Sequence, residues 1–402
     1  MLELEEAQAR ILATIPILPT ESIRAQAPVA AGRIFAEPLA APIDLPCFDN
    51  SAMDGYAVQA RDLENASKAA PIRLRLGGNI PAGDTLAGRV ERGVCIRIFT
   101  GSVLPEGSDA VVMQEDTQAL PGGEVLFHES VKPWENVRLR GEDVKKGERL
   151  FQTGDRVTIG SIGLLAALGL TEIRVREQPM IGFLSTGNEL LEPGQPLAPG
   201  KIYESNRGTL QALAMRAGAT TKSFPLVRDD LLATRHALEM AATECDAVIT
   251  TGGVSVGEHD LVKAAFSEMG GELEFWKVAI RPGKPFLFGR WQEKFLFGLP
   301  GNPVSALVTF LLLVRPAIRR WQGASQVWLP ATTGTLAEAF VNQGDRRHFM
   351  RVATDQAGMV RSAGTQASHA LSSFARANGL LDVPRQSKLE AGAIVPVLRW
   401  ED

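Results

Sequence analysis

Apolar positions recur along this chain with two periods. Between residues 179 and 322, compact apolar runs such as "MIGFLS", "DAVIT" and "KFLFGL" alternate with segments whose apolar residues return every three or four positions, "RGTLQALAMRAG", "LLATRHALEMAA" and "LVKAAFSEMG". The runs predict buried strands and the segments predict amphipathic helices. Such alternation predicts a three-layer α/β domain around a mostly parallel sheet. Within it, "TTKSFPLVRDD" and "LEFWKVAIRPGKP" each read as one strand, Asn206 as a helix cap, and "VSALVTFLLLV" (304–314) as a buried helix.

The flanking regions follow another pattern. Residues 45–143 carry short strand-like runs ("VCIRIFT", "DAVVMQE") between the turn signals "LGGN", "PAGD", "PEGSD" and "PGGE", which predicts a β-rich domain. Residues 1–44 open with a helix-like segment and continue as an extended, proline-punctuated stretch. Residues 144–178 add a turn, a short strand and a helix over 159–168, and we join them to 1–44 as one discontinuous domain. Residues 323–402 return to short strands with turns at "VNQGD", "DQAGM" and "EAGA", a small β-barrel or sandwich.

Composition narrows the function classes. A chain of 402 residues with 45% hydrophobic and 22% charged residues is an ordinary globular mix with room for several domains. A net charge of -4 leaves no broad basic field for nucleic acid. Cys47, Cys95 and Cys245 are far apart, with neither a disulfide framework nor zinc spacing, which fits a reducing cytosol. The opening "MLELEEAQAR" is acidic, unlike a secretory signal, and the longest apolar run is too short to cross a bilayer. A cytoplasmic protein without a membrane or nucleic-acid partner is expected.

The chemistry concentrates in turns. "STGNE" (185–189), "RDD" (228–230), "TGGVSVGEHD" (251–260) and "GLPGNP" (298–303) all follow predicted strands. In an open parallel sheet such turns share the carboxyl edge, where α/β folds place ligands. Glycines there permit close backbone approach, and helix N-termini offer N–H groups to anions. The candidate ligand-facing positions are Ser185, Thr186, Gly187, Gly252, Gly253, Ser255, Gly257, Pro300, Gly301 and Asn302. Taken alone, "TGGVSVGEHD" is equally a plain strand-to-helix turn, Asn302 a simple cap, and His259 a bland helix-start residue.

Glu189, Asp229 and Asp260 supply carboxylates beside Lys277, Arg281 and Lys284 of "KVAIRPGK", a mixture that suggests an Mg²⁺–phosphate site. For Asp229 alone, capping of the next helix is the favoured reading. A second acid-rich turn, "FDNSAMDGYAV" (48–58), holds Asp49, Asn50, Ser51 and Asp54, and "RLRGEDV" (138–144) sets Arg138 and Arg140 before Glu142 and Asp143. Asx-turn chemistry and an exposed ion pair explain these two equally well.

Together, "FDNSAMDGYAV", "RIFTGSVLPEGSDAVVMQE", "RGED", "STGNEL", "TGGVSVGEHD", "RPGKP" and "GLPGNPVSA" resemble the MoeA-type molybdopterin molybdenumtransferase family (the gephyrin E-domain-like family) in order and spacing over nearly the whole chain, including "HFMRV" and "GTQASHALSSFARANG". The resemblance implies insertion of molybdate into adenylylated molybdopterin with release of AMP, giving molybdenum cofactor. It implies a need for Mg²⁺, an elongated homodimer of four-domain subunits, and a cleft between the α/β domain of one subunit and the β-rich domain of the other. The corresponding boundaries are 1–44 plus 144–178, 45–143, 179–322 and 323–402. Partners implied are the molybdopterin adenylyltransferase, a downstream nucleotide transferase and apo-molybdoenzymes.

Carried over by position, the functional acids are Asp54, Asp143, Glu189, Asp229 and Asp260, with Glu189, Asp229 and Asp260 on the metal side. The basic positions at the catalytic site are Lys277 and Arg281; Arg138 and Lys284 bind substrate, and Arg351 and Ser368 form an oxyanion site. Asn188 and Arg281 depart from the Asp and Lys that the family often has, which removes one ligand charge and replaces a proton donor with a permanent cation. The adenylyltransferase of the same pathway, a single α/β domain, and an idle scaffold of the same fold are the competing readings. The long flanks count against the first and the retained acids against the second.

Overall fold

The computed structural model of the chain describes residues 1–85, 88–253 and 261–400. They fall into two compact units, one comprising Met1–Glu37, Thr153–Thr158 and the chain from Ile173 onward, the other Pro38–Gln152 and Ile159–Glu172.

The second unit is built on a six-stranded sheet in the order Ala110–Met113, Gly55–Val58, Val94–Ile98, Ile72–Ile80, Glu124–Phe127 and Thr117–Leu120. All its pairings are antiparallel except that of Ile72–Ile80 with Val94–Ile98. Tyr56, Val58, Leu74, Cys95 and Phe127 make one apolar face, and Ala57, Ile80, Ile96, Ile98 and Val111 the other; the strands alternate with a period of two, and the irregularity between Leu76 and Gly78 moves Ile80 to the face opposite Leu74. Gly55 is dictated by crowding: a Cβ there would sit 2.0 Å from the Val112 carbonyl oxygen.

In the first unit the α/β sheet runs Thr220–Ser223, Met180–Ser185, Ala247–Thr251, Lys294–Leu299, Leu287–Trp291, Glu272–Trp276. The first four strands are mutually parallel. Leu287–Trp291 forms a hairpin with Lys294–Leu299 and pairs antiparallel with Glu272–Trp276, so the sheet is mixed and not purely parallel. Helix Asn206–Arg216, the helical run from Pro303 to Trp321 and the N-terminal helix Leu4–Thr14 cover one face, burying Ile181, Phe183, Ile249 and Phe297. Helices Leu231–Glu244 and Leu261–Glu268 cover the other, against Leu184, Val248 and Leu296. This is the expected three-layer arrangement. The buried run beginning at Pro303 is not uniform, because Phe310–Val314 widens to a π turn just ahead of Pro316. Proline lacks an N–H and its ring crowds the carbonyl four residues back, which a wider turn relieves.

The C-terminal region is a closed five-stranded barrel: Arg347–Thr354, Met359–Ser362, Ala331–Leu336, Ile394–Arg399 and Gly379–Val383, the last pairing back onto the first.

Several local expectations give way to specific chemistry. "LEFWKVAIRPGKP" is not one strand. It leaves the sheet after Trp276, where Lys277 turns at φ 78, and Ile280–Arg281 instead pairs with Arg347 and His348 of the barrel. In "TTKSFPLVRDD" the strand ends at Ser223, ahead of Pro225, which has no ladder donor, and only Val227 beyond it bridges to Thr186. Asp230, not Asp229, caps the next helix, accepting the Ala233 N–H at 2.8 Å. Asn206 is the first residue of its helix, not the cap.

Candidate functional site

Because four strands run parallel, the turns after Met180–Ser185, Thr220–Ser223, Ala247–Thr251 and Lys294–Leu299 emerge at the same edge. Glu272–Trp276 points the same way through two antiparallel pairings, which delivers Lys277 to that edge as well. A cavity of about 630 Å³ opens here, lined by Thr186, Glu189, Gly252, Gly253, Pro300, Gly301 and Asn302 among the expected positions. Ser185, 1% exposed, lies behind the wall and links Thr251 (3.0 Å) to Glu204 (3.2 Å).

Close packing explains the glycines. Gly252 has φ +87, and a Cβ on it would stand 2.6 Å from the Thr186 carbonyl oxygen. The Thr186 hydroxyl and the Asn206 side-chain oxygen are buried without a partner among the described residues, beside the cavity both residues line. Buried polar atoms of this kind are unusual and suit a polar ligand.

Among the described residues two carboxylates line this cavity, Glu189 and Glu204. Sequence reasoning missed Glu204. It is 7% exposed, and its Oε1 accepts the N–H groups of Asn206 and Arg207, both at 2.9 Å, so it anchors the start of helix Asn206–Arg216. The readable signal was an acid two residues before a helix start, where the dipole favours it. Asn206 then donates to the Gly301 carbonyl at 2.9 Å and ties the start of its helix to the turn 298–303. His369, also missed, lines the same cavity.

Asp229 does not line it. Its carboxylate accepts the Asn188 N–H at 3.0 Å, and its own N–H donates to the Asn188 side-chain oxygen at 3.2 Å. Gly187 lies between these groups and Thr186, with φ +154. Ser255, Gly257, His259 and Asp260 lie outside the described residues. Among the described residues no group of three or more His, Cys, Asp or Glu is arranged to hold a metal ion.

A second cavity, about 410 Å³, adjoins the first through Pro285 and is lined by Arg281, Lys284, Ser305, Arg346, Gln366 and Ser368. Arg346, which sequence reasoning passed over, is fixed by donating to the Ile280 carbonyl at 2.9 Å. Arg351 stands behind this wall, fully buried. It donates to the carbonyls of Thr365 (2.8 Å) and Ala367 (3.0 Å) and to Ser373 (3.2 Å), while its Nη1 has no partner among the described residues. It therefore holds the loop that carries Ser368, whose carbonyl accepts the Val304 N–H. Burial, then Arg281, lowers the Arg351 pKa to about 10. Burial, then Arg281, Arg351 and Arg346, lowers that of His348 to about 4. Burial is the larger cause of both shifts, and the smaller contribution of the neighbouring guanidinium groups reflects how closely Arg281, Arg346 and Arg351 are gathered. Lys277 lines neither cavity; its ammonium sits 3.6 Å from the centre of the Trp276 ring.

In the other unit the two acid-rich motifs meet. Val137–Arg138 pairs with Asn50–Ser51, and the Arg140 N–H donates to Asp49 at 2.7 Å. Asp54 accepts both the N–H and the hydroxyl of Thr100 at 2.8 Å, and these bonds lower its pKa. Arg138 and Asp143 are exposed on the same segment, and Arg140 pairs with Asp44 at 2.6 Å.

Comparisons with known proteins cover the chain from end to end. Residues 2–169 match the family model described as MoeA N-terminal region (domain I and II), 182–320 that of a probable molybdopterin binding domain, and 333–400 that of the MoeA C-terminal region (domain IV). The molybdopterin molybdenumtransferase of Haemophilus influenzae is 39% identical over 99% of this chain and 98% of its own length. That of Bacillus subtilis is 35% identical over 91% and 87%. The crystal structure of the molybdopterin biosynthesis moeA protein of Pyrococcus horikoshii superposes with a TM-score of 0.84 at 30% identity, over 99% of this chain and 100% of the other.

Proposed function

This chain belongs to the MoeA family of molybdopterin molybdenumtransferases, and from that premise we propose that it inserts molybdate into adenylylated molybdopterin with release of AMP, as an Mg²⁺-dependent cytoplasmic homodimer. Among the described residues no helix is long and apolar enough to cross a membrane. The adenylyltransferase of the pathway is the partner that supplies the substrate, and the downstream nucleotide transferase and apo-molybdoenzymes take the product.

The observation that carries the proposal is the adjacency of two unlike cavities. One has glycine turns and carboxylates, and the other has Arg281, Lys284 and Arg346 with Ser368. Backbone N–H groups and a polar lining suit a pterin phosphate and its adenylate. The cationic cavity suits molybdate, a compact oxyanion that guanidinium groups grip in two-pronged fashion. Placing molybdate next to the pterin's sulfur pair converts an encounter in solution into a positioned reaction. The protein then needs no cysteine ligand for molybdenum, and Cys95 and Cys245 are buried away as structural thiols.

Glu189 offers carboxylate oxygens at the first cavity, whereas Glu204 is engaged with helix N–H groups. Glu189 would hold Mg²⁺, with Asp260 as its expected companion, and the ion would supply charge neutralisation at the phosphate. Lys284 and Arg281 orient the oxyanion, and Arg351 keeps the Ser368 loop in place. In a homodimer, Asp54, Arg138 and Asp143 would come from the partner subunit.

Purified chain incubated with adenylylated molybdopterin, molybdate and Mg²⁺ should release AMP in proportion to cofactor formed. AMP release that does not depend on molybdate, or none at all, would overturn the assignment. Sedimentation velocity at micromolar concentration checks the dimer.

A further inference from the structure

A cavity of about 580 Å³ lies at the other end of the same helices and has no part in the site above. Helix Asn206–Arg216 begins at the proposed substrate cavity and ends here with Arg216, some 15 Å along its axis at about 1.5 Å per residue. The helix Arg315–Trp321 brings Arg315 and Arg319, and Arg156, Arg399 and Trp328 complete the charged and aromatic wall.

Five guanidinium groups thus face one space, and no Asp or Glu is among the described residues that line it. Among the described residues, Arg156, Arg216, Arg319 and Arg399 make no ion pair anywhere. Arg319 is only 8% exposed, and its one hydrogen bond among the described residues is a long contact from Nε to the Gln326 carbonyl, 3.4 Å. A guanidinium carries five N–H donors, so most of its capacity remains. Burial, then Arg315 and Arg156, lower its pKa to about 10. Tying down the 326–331 linker accounts for the Arg319 contact and for the Arg315 bond to the Val327 carbonyl, but not for Arg156 and Arg216.

We propose that this cavity binds a small polyphosphate, the convergence of Arg156, Arg216, Arg319 and Arg399, with no carboxylate among the described lining residues, being the feature that selects it. Several fixed forks match several phosphate groups, and one monoanion would leave most of the charge unbalanced. The ring of Trp328, 47% exposed, is available to stack on a base, so a nucleoside triphosphate uses more of the wall than inorganic polyphosphate does.

The test is calorimetric titration of the full-length chain with inorganic tripolyphosphate and, separately, ATP, both without Mg²⁺. Arg216→Ser with Arg399→Gln should weaken tripolyphosphate at least tenfold, and Arg319→Met should do the same if it folds. Lys284→Ser, in the proposed molybdate cavity, should leave this binding unchanged, which separates failure here from failure of the proposed activity. Trp328→Ala should weaken ATP and leave tripolyphosphate unaffected; equal loss of both would make the inorganic anion the sole class of ligand and overturn the nucleoside preference. The sequence continues past Trp400 with Glu401 and Asp402. Binding seen only after Glu401→Gln with Asp402→Asn would mean that the chain's own carboxylates serve these arginines, and the proposal would fail. It fails equally if tripolyphosphate does not bind, or if Lys284→Ser abolishes binding while the arginine variants keep it.

Discussion

His348 sits on the barrel strand Arg347–Thr354 opposite Val383, 3% exposed, with Nε2 unpartnered among the described residues. Burial and the neighbouring Arg281, Arg351 and Arg346 lower its pKa from 6.5 to about 4. The imidazole therefore stays neutral in the folded protein while the unfolded chain takes up a proton. Above pH 6.5 the group has no effect on stability. As pH falls from 6.5 to about 4, folding opposes proton binding and stability declines by about 1.4 kcal/mol per unit. The total is about 3 kcal/mol, and below pH 4 no more is lost. His348→Phe keeps a ring in the space and removes the titration. Melting temperatures of both proteins, recorded from pH 7.5 to 4, should converge or cross, with the gap between them changing by about 6–12 °C on the scale of domains of 150–250 residues. Other acid-titrating groups cancel in the difference. Parallel profiles would refute the reasoning, as would a His348 imidazole titrating near 6.5 by NMR in the folded protein. Saturating molybdate offers a second arm, because an anion between Arg281 and Arg346 offsets their repulsion and should raise the His348 pKa.

Gly252→Ala should lower the melting temperature and cofactor output together, since a side chain at φ +87 costs about 1–2 kcal/mol before the 2.6 Å clash with the Thr186 oxygen is counted; a fully stable variant would contradict this. Arg346→Gln, on the cavity wall, should raise the molybdate concentration for half-maximal AMP release several-fold with the melting temperature little changed. Arg351→Met should do the reverse in emphasis, losing about 2 kcal/mol or more as the charged hydrogen bonds from this buried guanidinium to Thr365, Ala367 and Ser373 are removed, visible in chemical denaturation. Thr100→Val removes a bond that holds Asp54 ionised and should raise that carboxyl's pKa, read by carbon-detected NMR titration.

How much of this was legible in the sequence depended on how local the determinant was. The parallel strands, their helices and the shared turn edge followed from period alone, because a strand buried on both faces and an amphipathic helix each write their pattern into consecutive residues. The hairpin Leu287–Trp291 with Lys294–Leu299 did not: its two-residue turn is Gln292–Glu293, with Gln292 at φ 55, and carries none of the Asn-Gly or Asp-Gly signals that mark such turns. Asp229 and Asp230 are adjacent acids before one helix, and only the backbone path decides that the second caps while the first turns to Asn188.

That exchange between Asp229 and Asn188 also bears on the departure at 188. Asn188 uses its side-chain oxygen as an acceptor for the Asp229 N–H, and its own N–H satisfies the Asp229 carboxylate. An aspartate at 188 could accept the same N–H, so the turn's geometry does not distinguish the two residues. What changes is charge: aspartate would place a second carboxylate against Asp229, and like charges that close raise one another's pKa unless a cation lies between them. The amide keeps the turn intact without requiring such a cation. The proposed dependence on Mg²⁺ should then rest on Glu189 and Asp260, and Asn188→Asp should leave the fold unchanged while lowering the Mg²⁺ concentration needed for half-maximal AMP release. An unchanged Mg²⁺ titration would show that position 188 lies outside the reach of the metal.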